Sequence, residues 1–340
     1  MLCERNSKGT CDAKATNKGW LAKLNDYIYK TVSNEEERSL CDLEMRAFFG
    51  AEPYHNLLES PIKVEPSRSP FIKMRITVLH EGGSIEEIAE QAKFIELAGA
   101  TFKVIAIDNY DPEGGAIMEY EDKRAVEREI GLRIRGKAEM RNPDSIFGVV
   151  RTGGRWRLGE CAMGEAIWLK HNDKPRKYST ALSTRVARAV VNIAIPQTTG
   201  IKAIDPCCGI GTVLVEALSM GIDIVGREMN PLAAIGAREN LAYFGYEAKV
   251  TLGDMKEIAE FYDAAIIDMP YNLCSVLGPE EKLEMLRSAR NFARIAVIVT
   301  IESIDEIIEQ AGFTITDRGT VNKGKFTRHV LVCRQSIRIC

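Results

Sequence analysis

The stretch DPCCGIGTVLVEA, from Asp205 to Ala217, lies where a predicted strand ends and a predicted helix begins. After it, apolar strands alternate with amphipathic helices, and the predicted strands cover residues 222–228, 249–253, 264–268 and 295–300. This alternation is typical of a parallel sheet with helices on both faces. The second half of the chain is therefore predicted to be α/β, with Asp205 at the sheet edge where ligands bind.

The end of the chain departs from this alternation. Residues 313–321 and 328–334 both read as strands, and only a short Lys/Gly loop separates them, so they must pair antiparallel. We therefore predict a Rossmann-like seven-stranded sheet that is closed by a C-terminal antiparallel hairpin.

The composition is that of a globular protein. Of its 340 residues, 45% are hydrophobic and 27% are charged. No apolar run approaches the roughly 20 residues that a membrane-spanning helix needs, and no secretory signal is evident at the amino terminus. The nine cysteines are odd in number and scattered, which indicates reduced thiols and no metal site. A cytoplasmic monomer without contact to membranes is expected.

The first half is predicted to consist of small α+β units. Residues 1–24 are polar and aperiodic, as in a flexible extension, and residues 61–70 carry three prolines, as in a linker. We expect a ferredoxin-like α+β unit over residues 25–70 and a second α+β unit over residues 71–170. The α/β domain then covers residues 171–340.

Three acidic residues follow successive strands of the predicted parallel sheet. Asp205 heads the glycine loop, Glu228 ends the next strand and Asp254 ends the third. The loop has Gly209 and Gly211, but Leu214 stands where a dinucleotide fingerprint needs a third glycine. Carboxylates can accept hydrogen bonds from ribose hydroxyls, an adenine amino group and an ammonium group. A ligand with these groups and no phosphate is S-adenosylmethionine, which we predict to be the cofactor.

A second motif, Asp268-Met269-Pro270-Tyr271-Asn272, follows the fourth strand and lies on the same sheet edge. An exocyclic amine on a base is a poor nucleophile, because its lone pair is delocalised into the ring. A carboxylate from Asp268 and the carbonyl before Pro270 can accept its N–H groups and direct the lone pair, while Tyr271 stacks on the base. The motif predicts methylation of a base amine.

These motifs resemble those of class I S-adenosylmethionine-dependent methyltransferases that act on amino groups, and more closely those of the THUMP-domain tRNA guanine-2-amino methyltransferases. The resemblance extends over KPRKYSTALSTRVARAVVNIA (residues 174–194), DPCCGIGTVLVEA, GREMNP (residues 226–231), LGD (residues 252–254) and DMPY. It implies that residues 71–170 are a THUMP-like RNA-binding domain. This chain has Met269 and Asn272 where the family usually has Pro and Gly, and Glu228 where Asp is commoner.

The resemblance also implies roles for individual residues. Asp205 and the glycines line the methionine end, Glu228 holds the ribose, and Asp254 faces the adenine. The predicted catalytic residues are Asp268, Pro270 and Tyr271. The predicted cofactor-binding residues are Tyr178, Asp205, Pro206, Cys207, Gly209, Gly211, Thr212, Glu228, Met229, Asn230, Asp254, Met255 and Asp268.

A basic stretch supports the prediction that RNA binds. The net charge of the chain is −3, but residues 123–188 contain 16 Lys and Arg against 7 Asp and Glu. Trp156 offers either a stacking face or a core anchor, and the cluster Lys323, Lys325, Arg328 and His329 is expected in an exposed hairpin loop. The predicted RNA-binding residues are Arg133, Arg135, Lys137, Arg141, Arg151, Arg155, Arg157, Lys174, Arg176 and Lys177.

The main hypothesis is an RNA methyltransferase that modifies the 2-amino group of a guanosine, with tRNA as the favoured substrate. An alternative target is rRNA guanine, or the adenine amino group in DNA or RNA. The motif Asp-x-Pro-Tyr does not separate guanine from adenine, because both bases present an exocyclic amine. A hypothesis of another class is an RNA-binding protein that retains the fold without catalysis.

Overall fold

The structure is a computed structural model that describes residues 27–108, 118–270, 277–323 and 326–336. The predictions for Tyr271, Asn272, Lys325 and the amino-terminal extension therefore lie outside the described residues, and for Lys323 only the backbone is described.

In the first half, the described strands form one mixed seven-stranded sheet in the order β2-β1-β3-β7-β6-β4-β5. The β1 strand pairs antiparallel with both β2 and β3, while β4 runs parallel to β5 and β6. The two units expected on either side of residue 70 thus share one sheet. Its strands are β1 (Tyr27–Thr31), β2 (Leu57–Ser60), β3 (Ile72–Gly82), β4 (Glu96–Ala106), β5 (Arg135–Ala138), β6 (Ser145–Thr152) and β7 (Arg155–Met163).

Helices accompany this sheet. Ser84 begins the second helix, because its side chain accepts a hydrogen bond from the backbone N–H of Glu87. The apolar side chains of the second and third helices pack in one core with those of β4, β6 and β7. The helices are α1 (Arg38–Phe49), α2 (Ile85–Ala92), α3 (Tyr120–Gly131) and the short α4 (Ile167–Lys170).

The second half forms another seven-stranded sheet, in the order β10-β9-β8-β11-β12-β14-β13. Its strands are β8 (Lys202–Asp205), β9 (Asp223–Glu228), β10 (Val250–Leu252), β11 (Tyr262–Asp268), β12 (Ala293–Thr300), β13 (Phe313–Lys323) and β14 (Phe326–Gln335). Its helices are α5 (Thr184–Ala194), α6 (Thr212–Ser219), α7 (Pro231–Tyr243), α8 (Pro279–Phe292) and α9 (Asp305–Gln310).

Five strands of this sheet are parallel, and the hairpin of β13 and β14 joins β12 antiparallel. The predicted Rossmann-like sheet with a terminal hairpin is thus confirmed. The order in which the chain adds strands to the sheet reverses between β8 and β11, which is where ligands bind in doubly wound folds. In the described part of the chain, no helix is both long and apolar enough to span a membrane.

The expectation that residues 61–70 form a linker is wrong. Val64, Pro66 and Ser69 are buried, and a short 3₁₀ helix spans Pro66–Arg68. This segment packs against α5, because the guanidinium of Arg68 donates hydrogen bonds to the carbonyls of Ile195 and Pro196. Prolines here make a rigid packed turn and not a spacer.

We call the contact between the two halves the seam, formed by Glu44 on α1, residues 67–69, Arg188 and Asn192 on α5, and Glu216 on α6. The buried Glu44 carboxylate accepts hydrogen bonds from Ser69 Oγ (2.5 Å) and Asn192 Nδ2 (2.6 Å). The buried Arg188 guanidinium donates to the carbonyls of residues 67 and 68 (2.9 and 2.8 Å) and to Glu216 (2.8 Å). The halves are thus joined by a buried polar network inside a shared apolar core.

Candidate active site

Three predicted carboxylates lie at adjoining strand ends. Asp205 ends β8 and pairs in register with Gly226 of β9, two residues before Glu228. On the other side β8 pairs with β11, whose last residue is Asp268. All three strands run parallel, so these acids stand at the same carboxyl edge of the sheet.

The loop after Asp205 is held against β9 by backbone hydrogen bonds. The Gly209 N–H donates to Glu228 Oε2 (2.8 Å), and the Cys208 N–H donates to the carbonyl of Arg227 (3.0 Å). At the end of the loop, Gly211 has a φ of +79°, and a Cβ there would lie 3.2 Å from Cβ of Ala237. Gly211 is therefore needed both for the left-handed turn and for the close approach of α7.

The carboxylates at this sheet edge act on one another electrostatically. Burial raises the pKa of Asp205 well above its usual value, and the negative charges of Asp268 and Glu228 raise it further. Burial likewise raises the pKa of the Cys207 thiol, and the charges of Asp205, Glu228, Asp268 and Asp254 all add to that effect. The charges of all four carboxylates therefore act on the Cys207 thiol. We call this group of four carboxylates the acidic cleft.

Asp268 is the most unusual of these acids. Burial raises its pKa to about 7, which the positive charge of Arg328 partly opposes. Its Oδ1 is sealed from solvent and has no hydrogen-bond partner among the described residues. The next residue, Met269, is buried and donates its N–H to the carbonyl of Val299 (2.9 Å), so β11 stays in register up to exposed Pro270.

A second buried oxygen without a partner lies nearby. Thr212 begins α6 directly after the glycine loop, and its Oγ1 has no partner in the part of the chain that the structure describes. Thr212 Oγ1 and Asp268 Oδ1 are the two oxygens among the six buried side-chain atoms there that make no hydrogen bond; the other four are arginine nitrogens. A buried polar atom without a partner is costly, so both oxygens fit a site that a ligand completes.

The donor set fits the predicted cofactor. A Cβ added at Gly209 would meet no atom within 4 Å, so the loop leaves open space beside Glu228. Glu228 already accepts from the N–H groups of Gly209 and Asn230 (both 2.8 Å), but a carboxylate has about four acceptor positions and keeps some for ribose hydroxyls. Carboxylates suit the hydroxyl, amino and ammonium groups of S-adenosylmethionine, whereas a phosphate would be repelled.

The other predicted cofactor residues differ in burial and in contacts. Asp254 caps a short 3₁₀ helix by accepting from Lys256 N–H (2.9 Å), and the buried Met255 Sδ lies 3.8 Å from Cys207 Sγ. Pro206 is buried beneath the loop, and Asn230 caps α7. Met229 and Tyr178 are exposed, by 71% and 58%, and could cover a ligand from outside. The cofactor roles of these residues stay predictions.

Eight of the ten predicted RNA-binding cations fall into two groups. In the first, each guanidinium is neutralised by a carboxylate: Arg133 by Glu90 and Glu129, Arg135 by Glu96, Arg155 by Glu81, Arg157 by Glu59 and Glu81, and Arg176 by Glu239. In the second, the exposed Lys137, Arg141 and Lys177 form no ion pair with another described residue. The second group is better placed to meet phosphates.

The remaining predicted contacts are more buried. Lys174 is buried, and burial lowers its pKa. Arg151 lies over the ring of Trp156, 6.0 Å from the centroid, and the partly buried Trp156 packs against the core of the first sheet. Trp156 therefore serves as a core anchor.

The sequence misplaced one important residue. Arg328 was expected in an exposed loop, but it lies inside β14 and is only 8% exposed. The strand begins earlier than predicted because Phe326 and Thr327 still pair with β13. Arg328 lies two residues before buried Val330 and four before partly buried Val332, so all three share one face of the strand. This spacing is the signal that could have placed Arg328 on the inner face.

Sequence comparison identifies the class of the second half. Residues 172–296 match the model of the UPF0020 family, described as RMKL-like, methyltransferase domain. This segment contains the glycine loop and the acidic cleft, and it is similar to that methyltransferase domain. S-adenosylmethionine is the methyl donor of this class, in agreement with the residues of the cleft. No group of three or more potential metal ligands is found among the described residues.

Individual similar proteins are more specific than the family model. The chain is 26% identical over 280 residues to a tRNA (guanine(10)-N2)-dimethyltransferase of Methanothermobacter thermautotrophicus, a match that covers 75% of this chain and 81% of the relative. It is 30% identical over 168 residues to the enzyme of the same name from Pyrococcus abyssi, which covers 47% and 49%. The crystal structure of TrmN from Thermus thermophilus aligns over 91% of this chain and 99% of its own, with 16% identity and a TM-score of 0.49. The predicted resemblance to the tRNA guanine-2-amino methyltransferases is thus confirmed.

Proposed function

We propose that this protein transfers a methyl group from S-adenosylmethionine to the 2-amino group of a guanosine in RNA, with tRNA as the substrate. The observation that carries the proposal is Asp268 Oδ1, a buried acceptor at the edge of the acidic cleft that has no hydrogen-bond partner among the described residues. An amine donor is the chemical complement of such an acceptor. The names of the relatives support guanine and tRNA as the target.

The residues of the cleft act mainly by orientation. The ionised Asp268 accepts one N–H of the base amine, and the Met269 carbonyl, which precedes Pro270, accepts the other. These contacts direct the nitrogen lone pair along the line of displacement. When bound, S-adenosylmethionine supplies an electrophilic methyl group on its sulfonium. After transfer, the extra proton on the nitrogen leaves to Asp268 or to water.

The first half is proposed to hold the RNA. Residues 71–170 act as a THUMP-like RNA-binding domain, residues 25–70 join it to the catalytic domain of residues 171–340, and residues 1–24 form an extension. Support comes from the exposed Lys137 and Arg141 on one side of the seam and Lys177 on the other, which could contact phosphates of a single RNA. A monomer acting in the cytoplasm completes the proposal.

The test is nucleoside analysis by mass spectrometry after the protein is incubated with unmodified tRNA and isotopically labelled S-adenosylmethionine. We expect labelled N2-methylguanosine or its dimethylated form, and the same nucleoside should be missing from the tRNA of cells that lack this protein. Digestion of the labelled tRNA into oligonucleotides then locates the modified position.

Other products would contradict the proposal in distinct ways. Labelled methyladenosine would assign adenine as the target, and labelling of rRNA in place of tRNA would change the substrate. If calorimetry finds no binding of S-adenosylmethionine and no labelled product forms, the chain is an RNA-binding protein that retains the fold.

A further inference from the structure

Strand register brings the C-terminal hairpin to the base-amine site. Asp268 of β11 pairs with Val299 of β12, and Val299 pairs with Val330 of β14. Paired residues of neighbouring strands share a face of the sheet. Ile266, Val299 and Val330 belong to the core beneath α5, so Asp268, two residues after Ile266, lies on this face as well.

Arg328 reaches the same place from the opposite chain direction. Because β14 is antiparallel to β12, moving two residues back from Val330 leads toward the sheet edge where β11 ends. Arg328 therefore shares the face of Asp268 and is nearly buried there. Its Nη2 donates to the carbonyl of Thr180 (3.5 Å), in the loop that precedes α5.

Arg328 is the cation that acts on Asp268. Its positive charge favours the ionised form of Asp268, in opposition to burial, whereas Asp205 on the other side brings a negative charge. Among the described residues, Cys207 is a further titratable group on which Asp268 acts; its pKa is raised, so it stays a neutral thiol. His329 alternates with Arg328 and lies on the opposite face, with Leu331 and Cys333.

We propose that Arg328 is a positioning residue, which from the C-terminal hairpin keeps the Asp268 carboxylate ionised for the base amine. The inference rests on the proposed function, because it assigns Asp268 as the acceptor of the amine. A protonated Asp268 would lose this acceptor role, since its hydroxyl would face the N–H groups as a donor. The C-terminal hairpin is thus part of the catalytic apparatus.

The experiment compares the pH dependence of kcat/KM for RNA in the wild type, Arg328→Gln and Arg328→Lys, at saturating S-adenosylmethionine, from about pH 5.5 to about pH 9. The sulfonium charge of the donor is present in each protein, so it shifts all profiles alike. Without Arg328 the pKa of Asp268 rises, and the acid limb of the Gln profile should move upward by about one pH unit. At pH 6 this is a loss of about tenfold, and Arg328→Lys should restore most of it.

The control is Arg318→Gln, which removes an exposed arginine of the same hairpin that pairs with Asp305. Its profile should match the wild type. Arg328→Met provides a second neutral replacement that keeps more apolar packing. Each neutral variant that folds must show the upward shift of the acid limb of its pH profile. An acid limb unchanged in a folded neutral variant, or an equal loss for Lys and Gln at every pH, would overturn the inference.

A second readout does not need activity. NMR titration of ¹³C-labelled aspartate carboxyls, with the Asp268 signal assigned by its loss in Asp268→Asn, should show a higher pKa for Asp268 in Arg328→Gln than in the wild type. If the wild type methylates no RNA but this difference is found, the proposed function fails while the electrostatic role of Arg328 stands. If the Asp268 pKa is the same in both proteins, the role of Arg328 is excluded.

Discussion

The acidic cleft and the basic stretch of the chain differ in how their charged side chains are buried and paired. In the cleft, Asp205 and Asp268 are withdrawn from solvent next to each other and to Glu228, and burial and mutual repulsion raise the pKa of Asp205. In the basic stretch, exposed arginines such as Arg135 and Arg155 are matched with carboxylates. Exposed ion pairs contribute little free energy, whereas clustered buried carboxylates are costly unless a ligand partners them. The comparison teaches that buried, clustered carboxylates mark the reactive site. It also teaches that the number of arginines in the sequence overestimates the number of cations available to bind RNA.

The largest effect that would test this difference is expected at Asp268. Asp268→Ala should lower the rate of methyl transfer by about 10³-fold or more, because the base amine loses its acceptor. Binding of S-adenosylmethionine, measured by calorimetry, should change little. Asp263→Asn is the control, since Asp263 lies on β11 at the other sheet edge and accepts from Lys202 N–H. Methylation near the wild-type rate by Asp268→Ala would remove Asp268 from the mechanism.

A smaller effect is expected where the cofactor is held. Glu228→Ala removes the proposed ribose acceptor and leaves the N–H groups of Gly209 and Asn230 without their carboxylate. The Kd for S-adenosylmethionine should rise by about 10- to 100-fold, while the affinity for RNA is kept. Glu257→Ala, which removes an exposed partner of Arg227, is the control. Equal affinities for Glu228→Ala and the wild type would refute the ribose contact.

The seam sharpens the comparison, because Glu44 is buried like Asp205, and its carboxylate accepts hydrogen bonds from the side chains of Ser69 and Asn192. Burial raises its pKa to about 7, so the folded protein holds this proton more tightly than the unfolded chain does. Glu44 therefore makes its full contribution to the free energy of unfolding at a pH below the pKa that it has in the unfolded chain. This contribution is lost as the pH rises through about 7. Urea unfolding measures how far the free energy of unfolding falls between about pH 4 and about pH 8. We expect this decrease to be smaller in Glu44→Gln than in the wild type, by about 1 to 3 kcal/mol. Equal pH dependences would contradict this account.

The smallest effects concern individual phosphate contacts. Lys137→Ala and Arg141→Ala should each weaken tRNA binding by about 3- to 10-fold and lower the slope of log K against log salt by about 1. Arg135→Ala, which removes an arginine already paired with Glu96, should change binding by less than about twofold. Filter binding at several salt concentrations measures both quantities. A larger loss for Arg135→Ala than for the unpaired cations would reverse the proposed order.

The predictions that succeeded rest on local pattern. The alternation of strands and helices after Asp205 gave the second sheet, and the spacing of Asp205, Glu228 and Asp268 put them at one edge. In both cases the local pattern of apolar and polar residues shows where each strand ends, and parallel pairing brings these strand ends together.

The failures concern partners that are distant in sequence. The pairing of Arg155 with Glu81 joins β7 to β3, and no periodicity along the chain reports such a contact. Arg328 was missed because its role depends on the register between β14 and β12. The packed segment 61–70 was read as a linker because proline indicates only a break in regular structure, whereas the insertion of Arg68 beside α5 is a tertiary feature.

The seam also determines how the molecule can be divided. A truncated chain that starts near residue 171 would strip Arg188 of the two carbonyls at residues 67 and 68, and would uncover the apolar face of α5 that α1 protects. Glu216, on the helix that follows the glycine loop, shares that arginine, so the damage would reach the cofactor loop. The catalytic half is thus not a detachable module, and the two halves should melt in a single cooperative transition.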